Sequence, residues 1–127
     1  MLSAEAIAKA KLTTPYADHV QVLHQHDDCV RIAYQWLDAQ VKTRRVVQRS
    51  RPIKHIIESW AGRYVSQNDV EVAAHMHPRI LGRYPRFNIS ARLLEPNLRR
   101  LIGIAEAGQH PGYRDRYAKV YENRTEP

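Results

Sequence analysis

The sequence predicts a mainly α protein with a small β-hairpin toward its C-terminal end. Three observations predict it. Two apolar patterns at helical spacing, over residues 66–77 and 88–102, flank a loop at 79–87. Past residue 102 the period changes, and Gln109-His110-Pro111-Gly112 reads as a turn between two β-compatible stretches, 103–108 and 113–121. Arginines cluster around all of these pieces.

Taken in order, residues 3–12 are alanine-rich and lysine-bearing, with Ser3 placed as an N-cap, and predict a short terminal helix. Thr13-Thr14-Pro15 breaks it. Pro15 suits the first position of another helix, which would align Tyr16, Val20 and Leu23. The stretch from His24 to Asp28 interrupts that face, with Asp27 or Asp28 positioned to cap a further helix. That helix has the clearest pattern in the chain: Val30, Ala33, Tyr34, Leu37 and Val41 share a stripe, with Trp36 on its flank. Such a stripe needs a covering surface, either the rest of the chain or the same helix of a second copy.

Residues 42–54 are strongly basic and acid-free: Lys42, Arg44, Arg45, Arg49, Arg51 and Lys54. The run reads as a connector, solvated or lying as an arm along phosphates. Pro52 then opens a helix whose apolar face is Ile53, Ile56, Ile57 and Trp60, and Gly62 ends it. Arg63-Tyr64-Val65 is short and β-compatible. Ser66 and Asp69 suit the start of a helix that continues through Val70, Ala73, Ala74 and Met76 until Pro78 stops it. Gly82 and Pro85 punctuate the loop after it. The second helical pattern starts at Asn88 and carries Leu93, Leu94, Leu98, Leu101 and Ile102. Pro96 would cost about 3 kcal/mol inside a helix. It therefore splits the pattern into a turn at 90–94 and a new helix with Pro96 at its first position.

A chain of 127 residues with 43% hydrophobic content favours one domain, or one domain with a helical extension, around a real core. The single cysteine, Cys29, cannot form an internal disulfide, which together with an N-terminus unlike a signal peptide suggests a cytoplasmic setting. No apolar run approaches membrane-spanning length. The net charge of +7 and a pI near 9.9 create a field that attracts polyanions. Catalysis has no motif to rest on, neither a Gly-rich phosphate loop nor Gly-x-Ser-x-Gly nor His-Glu-x-x-His, so the expectation is a protein that is not an enzyme. His24 with His26 and His75 with His77 invite a metal. An i,i+2 pair on a helix points to different faces, however, and neither a metal nor another cofactor is expected.

The order helix, loop, helix, hairpin resembles the winged helix-turn-helix superfamily of small DNA-binding proteins. The matching residues are the 66–77 helix, the 90–102 segment with Leu93, Leu98 and Leu101, and the hairpin at 103–121 turning at Pro111-Gly112. Residues 53–61 and 64–65 fit the helix and strand that precede the motif, so the likeness covers half to two-thirds of the chain. It implies an N-terminal helical extension at 1–48, a winged domain at 49–123 and a tail at 124–127. It further implies double-stranded DNA as partner. Arg79, Arg83 and Arg86 would meet it from the loop. Asn88, Ser90 and Arg92 would meet it from the N-terminal end of the second helix, where Asn and Arg can read base edges. Asn88 is equally suited to be only an N-cap. Arg99 and Arg100 would touch backbone, and Arg114, Arg116 and Lys119 would act from the wing. The implied role is a transcription or replication regulator of a bacterial, phage or plasmid type, whose N-terminal helices would either form a homodimer through the Val30–Val41 stripe or pack as an extension. The alternative is a protein-interaction module or inhibitor that docks its basic surface on an acidic partner protein.

Overall fold

The computed structural model describes residues 1–18 and 20–127. Its regular structure is mainly helical: α1 (Ala4–Thr13), α2 (Asp27–Ala39), α3 (Ile53–Ala61) and α4 (Gln67–Met76), with one antiparallel hairpin of β1 (Gly82–Arg83) and β2 (Arg86–Phe87). Short 3-10 turns come after them at Leu98–Leu101, Pro111–Tyr113 and Ala118–Tyr121. Among the described residues no helix is long and apolar enough to cross a membrane.

Local signals in the sequence set the helix limits. Ser3 caps α1 by accepting from the Ala6 amide at 3.1 Å. Ser66 and Asp69 form a reciprocal capping box at the start of α4, at 3.0 and 3.3 Å. Gly62 ends α3 in the left-handed region, at φ 62°. The cap of α2 differs from expectation. His26 takes that role, accepting from the Asp28 amide at 2.9 Å, and Asp27 and Asp28 sit in the first turn beside the positive helix end.

The core is one cluster that draws on residues from Ile7 to Tyr121. At its centre α2 packs on α4. Val30, Ala33 and Leu37 are fully buried there, so of the two covers expected for the stripe it is the rest of the chain that supplies one. Its last member, Val41, lies beyond the helix and is exposed. Trp36, expected on the flank, is fully buried and donates its indole N–H to the Tyr121 hydroxyl at 2.9 Å.

The C-terminal half departs most from the sequence reading. No helix forms over 90–102. The segment bends at Ala91 and Arg92, runs without helix to Asn97 and closes with only the 3-10 turn at Leu98–Leu101. Pro96 is one cause. The other is that the backbone of this stretch is bonded elsewhere. Gln40 accepts from the Leu94 amide and donates to the Leu94 carbonyl, both at 2.9 Å. Trp60 donates to the Pro96 carbonyl at 3.0 Å. Glu95 exchanges backbone hydrogen bonds with residues 124 and 126. These partners satisfy groups that a helix would otherwise pair internally. The hairpin expected at 103–121 is likewise absent, replaced by turns that pack on α3. Neither Tyr64–Val65 nor residues 15–18 and 20–23 adopt the strand and helix expected of them, and His19 of that second stretch lies outside the described residues. The hairpin of the structure is the loop around Gly82 and Pro85.

Candidate nucleic-acid interface

The arm at 41–47 is not a free connector. It lies along β2 and its continuation. The Thr43 amide donates to the Asn88 carbonyl at 2.7 Å, Ser90 to Val41 at 2.8 Å and Val47 to Phe87 at 3.0 Å. Lys42 and Ile89 form an antiparallel bridge. With β1 on the other side of β2, the result is a small irregular three-stranded layer, ordered β1, β2, arm.

Asn88 holds the layer together. It is 2% exposed, and its amide nitrogen donates to the Thr43 and Arg79 carbonyls at 3.1 and 2.9 Å. Its carbonyl oxygen accepts from the Leu81 amide at 2.6 Å. Its side-chain amide is bonded to protein on both its oxygen and its nitrogen, and no helix starts at it. Gly82 allows the tight turn of the hairpin. Its φ is +96°, and a Cβ there would stand 2.3 Å from the Arg86 carbonyl oxygen.

This pairing brings two acid-free segments together. Residues 40–57 and 72–94 hold ten of the twenty basic residues and none of the thirteen acids, so the remaining chain is net −3. Arg44 and Arg45 on the arm and Arg49 just past it are exposed, as are Arg83 and Arg86 on the hairpin, Arg79 before it and Arg92 after it. Arg86 lies back along the arm, its Nε donating to the Gln48 carbonyl at 3.0 Å. Arg51 donates to the Ala91 carbonyl at 2.6 Å. Lys42 donates to the Asp38 carbonyl at 2.6 Å. Burial, then repulsion from Arg79 and Arg100, pulls its ammonium below the ordinary lysine range, against the pull of Asp38. Two members of the set reach an acid: Lys54 pairs with Glu58, and Arg79 stands 3.6 Å from Asp38.

Of the other expected contact residues, Ser90 belongs to the continuation of β2, while Arg99, Arg100, Arg114, Arg116 and Lys119 lie apart from this layer. Arg100 is held by Glu126 and by Asp38, the latter at 2.9 Å. Burial alone would raise the Asp38 carboxyl, but hydrogen bonds from His77 and Arg100 outweigh it and hold the group below the usual carboxylate range. The Arg100 hydrogen bonds lower Glu126 in the same way. Ser90 is half-buried and accepts from the Arg92 amide. Arg99 is exposed. Arg114, Arg116 and Lys119 are exposed on the turns packed against α3, with Arg116 lying 4.6 Å over the Tyr113 ring.

Sequence reasoning missed what covers α4. Its polar side chains are occupied by the segment after α1. Glu71 accepts from the Ala17 amide at 2.7 Å, Asn68 from Leu23 at 2.7 Å and Asp69 from Gln25 at 3.1 Å. His24 meets Asp69 at 2.8 Å and Thr13 meets His75 at 2.9 Å. The histidine pairs are thus divided among separate partners, with His77 on Asp38 at 2.8 Å. No group of three or more metal-ligating side chains occurs among the described residues. Cys29 is fully buried, and burial pushes its thiol up to about 12, which leaves it inert. No family model, curated protein or solved structure matches this chain.

Proposed function

We propose that the chain is a nucleic-acid-binding module of the winged-helix kind whose contact surface is the basic layer of the hairpin and its arm. Within that class it grips the phosphate backbone and does not read a sequence through a helix in the major groove. The single observation that carries the reading is the pairing of two segments with ten cations and no acid. A surface of that kind releases counterions from a polyanion.

The chain order supports the class. It runs helix, strand-like arm, helix, helix, strand, strand, from α2 to β2, with the arm beside β2. In that frame α3 and α4 are the helix pair and the hairpin tip at Tyr84-Pro85 is the wing. The covering of α4 by residues 13–25 argues for backbone contact over base reading. Of that helix only His75 is exposed, with Gln67, Asn68 and Met76 half-buried.

The test is a titration of a random duplex of about 20 base pairs at rising salt. Binding at low salt whose logarithm falls with log salt at a slope of about −5, as expected for about six neutralised phosphates, supports the reading. No binding at low salt overturns it. A second reading, docking on an acidic protein, is favoured by the same covered face of α4, since a protein partner needs no helix free for a groove. A chain that ignores duplex but co-purifies with an acidic protein belongs to that reading.

A further inference from the structure

The hairpin forms one wall of a cavity of about 140 Å³ between α4 and the Thr14-Pro15 turn. Its inner wall includes Glu71, Ala74 and Phe87, all buried, with the half-buried Tyr84 beside them, while His75 and Arg83 are exposed at the rim. A space of this size takes one benzene-sized ring.

Glu71 sets this cavity apart. The carboxylate belongs to a residue only 5% exposed, yet among the described residues no cation lies within ion-pair distance of it. The other buried acids each have a basic partner: Asp28 has Arg31, Glu58 has Lys54 and Asp69 has His24. Among the described residues Glu71 has two N–H donors, from Ala17 at 2.7 Å and Asn68 at 3.0 Å, one on each oxygen. A carboxylate has about four acceptor positions, so these donors fill half of them. A buried carboxylate without a cation, lining a cavity, favours a ligand that brings its own N–H donors.

We propose that this cavity receives a single-ring nucleobase with an amino group, cytosine, unstacked from a single strand lying on the basic layer. The proposal rests on the nucleic-acid reading above and deepens it. Cytosine carries an N4 amino donor that a carboxylate accepts. Thymine and uracil place an O4 acceptor there, which would face the carboxylate oxygen without a proton between them. A purine has two fused rings and exceeds the space. The rings of Tyr84 and Phe87, with centroids 6.2 Å apart and nearly perpendicular, give the base an aromatic wall. Arg83 at the rim is placed for the adjoining phosphate, and the exposed arginines of the arm for the rest of the backbone. Unstacking is least costly in a strand that is already unpaired.

The experiment is fluorescence anisotropy with the full chain and labelled oligo-dC and oligo-dT of equal length, at low salt and neutral pH. The expected result is dC binding at least about fivefold tighter than dT. Strands of N4,N4-dimethylcytosine, which keep the ring and lose its donors, should bind like dT. Glu71→Gln, whose amide both donates and accepts, should bring dC and dT together. Equal binding of dC and dT by the unaltered chain, or tighter binding of dT, overturns the cytosine site and leaves the backbone reading standing. A chain that binds neither strand nor duplex overturns both. The comparison among strands needs no variant, so it decides the matter even if Glu71→Gln fails to fold.

Discussion

The two acid-free segments, 40–57 and 72–94, which meet at the basic layer, and the rest of the chain each hold ten cations, but they use them differently. Outside those segments the ten stand among thirteen acids, and many are paired: Lys11 with Asp27, Arg31 with Asp28, Arg63 with Glu106, Arg100 with Asp38 and Glu126, Arg124 with Glu122. In those two segments Lys54 and Arg79 alone, among the described residues, come within ion-pair distance of a carboxylate, and that of Arg79 is long. Paired charge fixes structure. Unpaired charge of one sign gathered on one surface repels itself and lowers stability slightly, and it persists at a benefit that lies outside the fold. On the proposed reading, the contrast separates cations spent on ion pairs within the chain from cations left for a polyanion.

The largest effect should come from removing exposed members of the layer together. Replacing Arg44, Arg45, Arg83 and Arg86 with Gln should weaken duplex binding at low salt by about a hundredfold and flatten the salt slope by about 3 to 4. Thermal stability should change little, because three of the four make no side-chain hydrogen bond and Arg86 makes one exposed bond to Gln48. An anisotropy titration alongside a melting curve checks both. A loss of stability with binding unchanged would reverse the assignment of these residues.

Arg100→Ala should do the opposite. It removes the hydrogen bonds to Glu126, Asp38 and Gln35 from a side chain that is 21% exposed, and should cost about 2 kcal/mol in urea unfolding while leaving nucleic-acid binding intact. The pH dependence sharpens this. Asp38 and Glu126 are held below the ordinary carboxylate range, so the folded state binds their protons less readily than the unfolded chain. Their stabilisation is fully present above about pH 5 and is lost as pH falls through the lowered folded values. The variant should show a shallower loss of stability on acidification, because Glu126 no longer has the guanidinium that lowers it.

How much of the fold and site was legible in the sequence depends on where each signal resides. Caps and stripes are local, so Ser3, the Ser66 and Asp69 box, Gly62 and the α2 pattern marked their helices well. The leucines at 93, 98 and 101 imitate a helix because spacing in a short window says nothing of distant partners. The backbone there is bonded to Gln40, Trp60 and the C-terminal residues, and no window contains both sides of those contacts. The hairpin has two residues per strand, too few for an alternating pattern, and its turn residues read as loop punctuation. The basic arm was visible as composition, but its pairing with the hairpin depends on Asn88, whose type suits an N-cap as well as a buried clasp. Glu71 gave no signal, since what makes it unusual is the chain that covers it from over fifty residues away.

The smallest expected effect tests the contrast from its other side. Arg114, Arg116 and Lys119 are exposed cations too, and a count of surface charge would rank them with Arg44 or Arg83. Their setting differs. They ride on turns fastened to α3 through the Asp115 and Tyr117 amides, which reach the Ser59 carbonyl and hydroxyl. Asp115 lies among them in sequence and Glu122 just beyond, and Arg116 leans on the Tyr113 ring. Replacing all three with Gln should alter duplex affinity by no more than about threefold at low salt and the salt slope by less than about 1. Stability should stay within about 0.5 kcal/mol. If that triple change flattened the salt slope as much as the four arginines of the layer, phosphates would reach both regions. Binding would then track total charge, and the pairing of the arm with the hairpin would have no special part in it.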